Sequence, residues 1–123
     1  LVKRLNRHLD QKKFAYKNEL KILERRIDVV FLKDGQLISI EVKVSNWKRA
    51  FEQALSCLLW SHFVYIALWY KKIPEDLSLF EKHGIGLISI GRNIKVIVQP
   101  KKSTILHENL LNNVISRMEV DNG

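Results

Sequence analysis

In the stretch Arg26-Ile-Asp-Val-Val-Phe-Leu-Lys-Asp-Gly-Gln-Leu-Ile-Ser-Ile-Glu-Val-Lys43, two runs rich in Ile, Val and Phe flank Asp34-Gly35. Asp-Gly between alternating apolar residues is the strongest short-range signal for a two-residue hairpin turn. Such a turn sets Lys33 opposite Gln36, so paired residue numbers sum to 69 and Asp28 faces Glu41. Period two along the second strand puts Lys43 on the same face. Two carboxylates and an ammonium therefore converge. Carboxylates opposed at a β-carbon separation of about 5 Å destabilise a hairpin unless a cation sits between them. Lys43 or a divalent metal can supply it.

The face with Asp28, Glu41 and Lys43 also carries Val30, Leu32, Leu37 and Ser39, and the other carries Ile27, Val29, Phe31, Ile38, Ile40 and Val42. Both are largely apolar, which predicts a central position in a sheet covered on two sides. A salt-bridged trio on a solvated face is the plainer alternative. Charges in an apolar setting are costly without partners, and this weighs toward a functional site.

The 123 residues suit one domain with one sizeable core, 46% of them hydrophobic. The single cysteine, Cys57, excludes an internal disulfide framework and a zinc cluster, so a reducing cytoplasm is the expected setting. No apolar run approaches the roughly 20 residues that span a bilayer, and no membrane partner is expected. The formal net charge is +8, and residues 1–26 hold nine basic side chains against three acids. A basic segment beside a carboxylate site suits a polyanionic substrate, which points to nucleic acid. The nucleic-acid-binding candidates are Lys3, Arg4, Arg7, Lys12, Lys13, Arg25, Arg26, Lys48 and Arg49. A solvated surface that aids solubility is the bland reading of the same charges.

Val2, Leu5 and Leu9 predict an amphipathic helix over 1–10, and alternation from Phe14 to Leu23 predicts a strand. A turn near Glu24-Arg25 would set Glu19 opposite Val30, on the Asp28 side, as a third-acid candidate. Beyond Lys43, Ser45 or Asn46 caps a helix to about Trp60, and Phe63–Tyr70 reads as a buried strand. This strand-helix-strand order predicts a parallel, right-handed crossover. Pro74 opens a helix ending at Gly84, and Ile85–Ile90 and Ile94–Val98 form a closing strand pair. Ser103 or Thr104 opens a final helix whose Leu106, Leu110, Leu111, Val114, Ile115 and Met118 make an apolar stripe, for the core or for a homodimer contact. The tail Asp121-Asn-Gly123 reads as frayed. The four histidines show no metal-ligand spacing, and Cys57 among leucines is a poor nucleophile.

Asp28 after Ile27, Glu41-Val42-Lys43 closing an apolar strand, and Gln53 on the next helix together resemble the PD-(D/E)xK nuclease superfamily. The resemblance implies an α/β, restriction-endonuclease-like mixed sheet flanked by helices, in the order α-β-β-β-α-β-α-β-β-α. It covers a core over 1–98, with 99–123 as C-terminal helix and tail of one domain. It implies a metal-dependent endonuclease acting on DNA, with Asp28, Glu41, Lys43 and Gln53 as catalytic residues. Mg2+ or Mn2+ would be held by Asp28, Glu41 and the backbone carbonyl of Val42, with Glu19 as a further ligand candidate. Lys43 would orient the attacking water or offset charge growing on phosphorus. Gln53 would position Lys43 or touch the substrate backbone; exposed helix glutamine is its plain alternative. Many members carry a glutamate on the first helix, yet residues 1–9 contain no acid. Either Glu19 replaces it, or that ligand precedes Leu1, or the site binds metal less completely. The alternative function is a catalytically weak or inactive module of the same fold that binds nucleic acid or a partner protein.

Overall fold

A computed structural model of the protein describes residues 1–120, and the expected fraying of 121–123 lies outside them. The Asp34-Gly35 turn forms with positive φ at both residues, 52° and 78°. It joins β2 (Arg25–Lys33) to β3 (Gln36–Lys43). Lys33 pairs with Gln36, and the register runs unbroken to Val29 opposite Ile40. The conformation at Asp34 and Gly35 is that of the primed turns, whose twist matches the flanking strands.

Around this hairpin the chain builds a six-stranded sheet in the order β1-β2-β3-β4-β5-β6. β1 spans Tyr16–Ile22, β4 Phe63–Trp69, β5 Gly86–Ile90 and β6 Ile94–Val98. β3, β4 and β5 are parallel, and the outer pairings are antiparallel. Helices cover both faces. On one face lies α1 (Val2–Lys12), whose Leu5 and Leu9 pack with Val29, Phe31, Ile38, Ile40 and Ile88. The other face carries α2 (Trp47–Cys57), α3 (Ser78–His83) and α4 (Glu108–Val120), which bring Phe51, Phe80, Val114 and Met118 onto Val30, Leu37, Val64 and Leu87. The arrangement is a mixed α/β protein with an open sheet flanked by helices.

Several expectations are corrected. The turn into β2 is Leu23-Glu24, with φ of 50° and 66°, one residue earlier than expected. Ile22 pairs with Arg25 and Lys17 with Val30, so Glu19 does not face Val30. Ile27 belongs with the α2 face rather than with Val29. α3 begins at Ser78, where Asp76 Oδ1 accepts the Ser78 N–H at 2.9 Å, so Pro74 precedes the helix instead of opening it. Asn46 occupies the α2 N-cap position, in the left-handed region and without a side-chain capping bond. α4 begins at Glu108 because the segment before it spends its backbone donors elsewhere: Ser103 N–H on His62 O and His107 N–H on Leu59 O. Its stripe packs inward, with Val114 and Met118 fully buried in the chain's own core and Leu110, Leu111 and Ile115 against it. Among the described residues, no helix is long and apolar enough to cross a membrane.

Candidate active site

The hairpin's open end departs from regular β structure. In β2, Val29 and Phe31 face α1, whereas Ile27 faces α2. In β1, Tyr16 packs on the α1 side, whereas Leu20 and Ile22 pack on the α2 side. Strict alternation would keep all members of each set together. The reversal falls at Asp28 and Glu19, and Glu19 has φ of 52°. Asn18 opposite Val29 and Leu20 opposite Ile27 preserve one register on either side of this point. Both strands therefore kink together, and Glu19 and Asp28 stand between those two pairs.

Freed from the alternation, the half-buried Asp28 turns its carboxylate toward β3, where Oδ2 accepts the Val42 N–H at 2.8 Å. The side chain thus takes the part of a strand partner for β3. Glu41, the residue before Val42, is only 2% exposed, and its Oε1 has no hydrogen-bond partner. Burial is the main cause that pushes its carboxyl up to about 7, and the Asp28 charge adds to it. Arg25 and then Lys43 pull the other way. Desolvation and a like charge both favour the protonated acid, and the two cations offset them only in part. The Cys57 thiol, packed beneath on α2, is pushed up to about 12, first by burial and next by the Glu41 charge. It is no nucleophile at neutral pH.

Arg25 sits beside this acid because Nη1 donates to Gln53 O at 3.0 Å and to Ser56 Oγ, which ties β2 to α2. Gln53 contributes its main-chain carbonyl here, accepting from Arg25 and, at 2.7 Å, from the Ser56 hydroxyl. Lys43 is half-buried at the end of β3, paired with Leu68 of β4. Glu19 is exposed. On the α1 side, Asn6 and Asn18 exchange side-chain amide bonds of 2.8 and 2.9 Å, and Asn18 Nδ2 donates to Asp28 O at 3.3 Å. The first helix reaches the Asp28 backbone carbonyl through the Asn6 and Asn18 amides.

The basic residues divide between the faces. Lys3, Arg4, Arg7 and Lys12 lie on α1 with Lys13 at its end, whereas Lys48 and Arg49 lie on α2, across the sheet. Arg25 is anchored on the α2 side, and Arg26 is exposed on β2 opposite Lys21. Sequence reasoning missed two features: Arg25 as the counter-charge of Glu41, and the Asn6–Asn18 bridge. The alternation reversal that sets both has no sequence signal, since neither Glu19 nor Leu23-Glu24 is a residue type that favours positive φ.

No protein-family model matches the sequence, and no curated protein matches it. Among solved structures, the SPO1766 protein of unknown function from Silicibacter pomeroyi is similar at TM-score 0.72 and 19% identity, over 94% of this chain and 79% of that one. The protein of unknown function AF1548 is similar at TM-score 0.58 and 23% identity, over 72% of this chain and 55% of that one. Pyrococcus furiosus SfsA, in complex with Ca2+, aligns at TM-score 0.44 and 13% identity over 86% of this chain and 62% of that one. At these identities the first two likenesses extend to the fold.

Proposed function

We propose that the protein is a metal-dependent, endonuclease-like phosphodiester hydrolase acting on DNA, with a PD-(D/E)xK arrangement on a restriction-endonuclease-like sheet. The observation that carries this reading is Glu41. A buried carboxyl with an unpartnered oxygen, next to Asp28 and pushed up to about 7, gains from a further cation, because Arg25 and Lys43 offset its burial only in part.

Among the described residues, no group of three or more His, Cys, Asp or Glu side chains is placed to hold a metal. Two carboxylates still suit Mg2+ or Mn2+, because magnesium keeps several waters and takes one or two carboxylates together with substrate phosphate. Asp28 and Glu41 are the side-chain ligands in this reading, and the Val42 carbonyl is the backbone one. Bound there, the cation supplies charge at a phosphate oxygen and acidity to an attacking water. Lys43 offsets charge developing on phosphorus. Arg25 holds Glu41 toward its ionised form, while Asp28 fixes the end of β3 by accepting the Val42 N–H.

The test is cleavage of plasmid, single-stranded and branched DNA with Mg2+ or Mn2+. Asp28→Ala and Glu41→Ala should abolish it. Equal trace activity in wild type and both variants defeats the catalytic reading. The absence of a three-ligand group among the described residues favours a second reading, a non-catalytic module that binds nucleic acid or a partner protein. For the nucleic-acid form, salt-sensitive DNA binding would be indifferent to EDTA and to Glu41→Ala.

A further inference from the structure

β5 runs parallel to β3 through β4. The turn that follows it, Gly91-Arg92-Asn93, therefore lies at the same end of the sheet as Lys43. This turn is compact: Gly91 N–H donates to Asn93 O at 3.1 Å, and a β-carbon at Gly91 would meet the Tyr70 ring within 2.9 Å. Across it, Arg4 Nη2 donates to Arg92 O at 3.1 Å, which ties the first half of α1 to the turn. Arg7 lies one helical turn further on the same side of α1. Between helix and turn is an open cavity of about 590 Å³ lined by Arg4, Arg7, His8, Arg92 and neighbouring polar residues, with Ile94 as its apolar wall. No Asp or Glu lines it, and among the described residues none of the three arginines is ion-paired.

We propose that Arg4, Arg7 and Arg92 form a phosphate-binding subsite that holds a backbone phosphate of a nucleic-acid strand away from the bond to be cut. This rests on the reading of Asp28 and Glu41 as a phosphodiester site. Three uncompensated guanidinium groups repel one another and gain by sharing an oxyanion, and their planar forks match phosphate in two-point hydrogen bonds. The lining offers no Phe, Tyr or Trp for a base to stack on, and its three guanidinium groups outnumber the single His8 ring, so the backbone is what it chiefly recognises. β2 and β5 are three strand spacings apart, about 14 Å. A duplex rises about 3.4 Å per nucleotide while its strands also wind around the axis, so this separation lies within a few nucleotides of one strand. A strand crossing the sheet end can therefore occupy both places.

The experiment is fluorescence anisotropy of a fluorescein-labelled DNA duplex in EDTA, where no cutting occurs, titrated at several salt concentrations. Arg92→Ala, the least intrusive change because the side chain is exposed in a turn, should weaken binding about fivefold to tenfold. It should also reduce the slope of log affinity against log salt by about 0.9, the signature of one lost phosphate contact. Arg7→Ala should behave alike, and Lys82→Ala, on α3, should leave both quantities as in wild type. Calorimetric titration with inorganic phosphate separates a free-anion site from a strand site. Phosphate binding that depends on Arg92, combined with DNA binding that does not, overturns the proposal. So does an Arg92→Ala protein with wild-type affinity and slope, even if Glu41→Ala abolishes cleavage and the catalytic reading stands. Conversely, Arg92-dependent DNA binding by a protein that cuts nothing keeps the subsite and removes the nuclease.

Discussion

The two ends of the β2–β3 ribbon are made of the same two strands and obey different rules. At the closed end, from Val29 through the turn to Ile40, every pair is in register and both faces are mostly apolar, buried except toward the turn, with the Ser39 hydroxyl as the buried polar exception. At the open end, side-chain alternation reverses at Asp28, a carboxylate takes the role of a strand partner, and a second carboxylate is buried without a hydrogen bond for one oxygen. Regular pairing leaves a side chain no choice of direction, so each group stays on the face the ladder assigns to it. The irregular end costs stability, and in exchange it directs polar groups where the ladder would have put apolar ones.

The largest expected effect belongs to the closed end. Leu37 of β3 is fully buried on the α2 side of the sheet, so Leu37→Ala should cost roughly 2–5 kcal/mol, read as a lower urea midpoint. A loss under about 1 kcal/mol would mean that the closed end is not the better packed of the two.

At the open end the sign reverses. Burial pushes the Glu41 carboxyl up to about 7 in the folded protein, from an ordinary value of 4.5. Between these values the folded chain holds a proton that the unfolded chain has released. Glu41's contribution is therefore complete below about pH 4.5 and is lost as pH rises through about 7. A displacement of this size corresponds to about 3 kcal/mol. Glu41→Gln should thus become more stable relative to wild type as pH rises from 5 to 8, by up to that amount, while losing any metal-dependent cleavage. Urea midpoints of both proteins at the two pH values measure it. A difference independent of pH would show that the carboxyl is not perturbed. Magnesium should narrow the gap at pH 8 by stabilising wild type alone.

Legibility in the sequence followed the same division. Asp34-Gly35 is a residue pair with one preferred turn, and it carries the β2–β3 register as far as Val29 opposite Ile40; the expected pairing of Asp28 with Glu41 is not in the ladder, and Asp28 accepts the Val42 N–H instead. Leu23-Glu24 adopts a left-handed conformation that neither side chain advertises, so the register of β1 against β2 has no sequence signal, and Glu19 stands across from Asp28, two residues from the expected Val30. The charged trio was visible because charges in apolar strands are rare. Arg25 as a counter-charge to Glu41 was not, because its position depends on α2 docking across the sheet, a contact between distant parts of the chain. The starts of α3 and α4 were misplaced for a related reason. Pro74, Ser103 and Thr104 are good helix openers, but the main chain at Ser103 and His107 is committed to His62 and Leu59.

Asp28→Ala probes what the open end gives to the fold. It removes the acceptor of the Val42 N–H and should cost about 1–3 kcal/mol, the range for a buried donor left without its charged partner. It also withdraws one of the causes that raise the Glu41 carboxyl, which should then titrate lower, though still above an ordinary glutamate because burial is the larger cause. Carbon-13 NMR of labelled Glu41 in the two proteins would show this directly. An unchanged titration would mean that the two carboxylates do not sense each other.

The smallest effects compare backbone strain at the two ends. Gly35 has φ of 78° with open space where a β-carbon would stand, so Gly35→Ala meets no clash and only the strain of the left-handed region, about 1 kcal/mol. Reduced freedom of the unfolded chain returns roughly 0.5 kcal/mol, for a net loss of about 0.5 kcal/mol. Glu19 already carries that strain at φ of 52°. Glu19→Gly relieves it and increases the freedom of the unfolded chain, so stability should change by no more than about 0.5 kcal/mol, and upward. If Glu19→Gly instead destabilises by more than about 1 kcal/mol, the Glu19 side chain holds the kink in place, and the reversal at Asp28 depends on it.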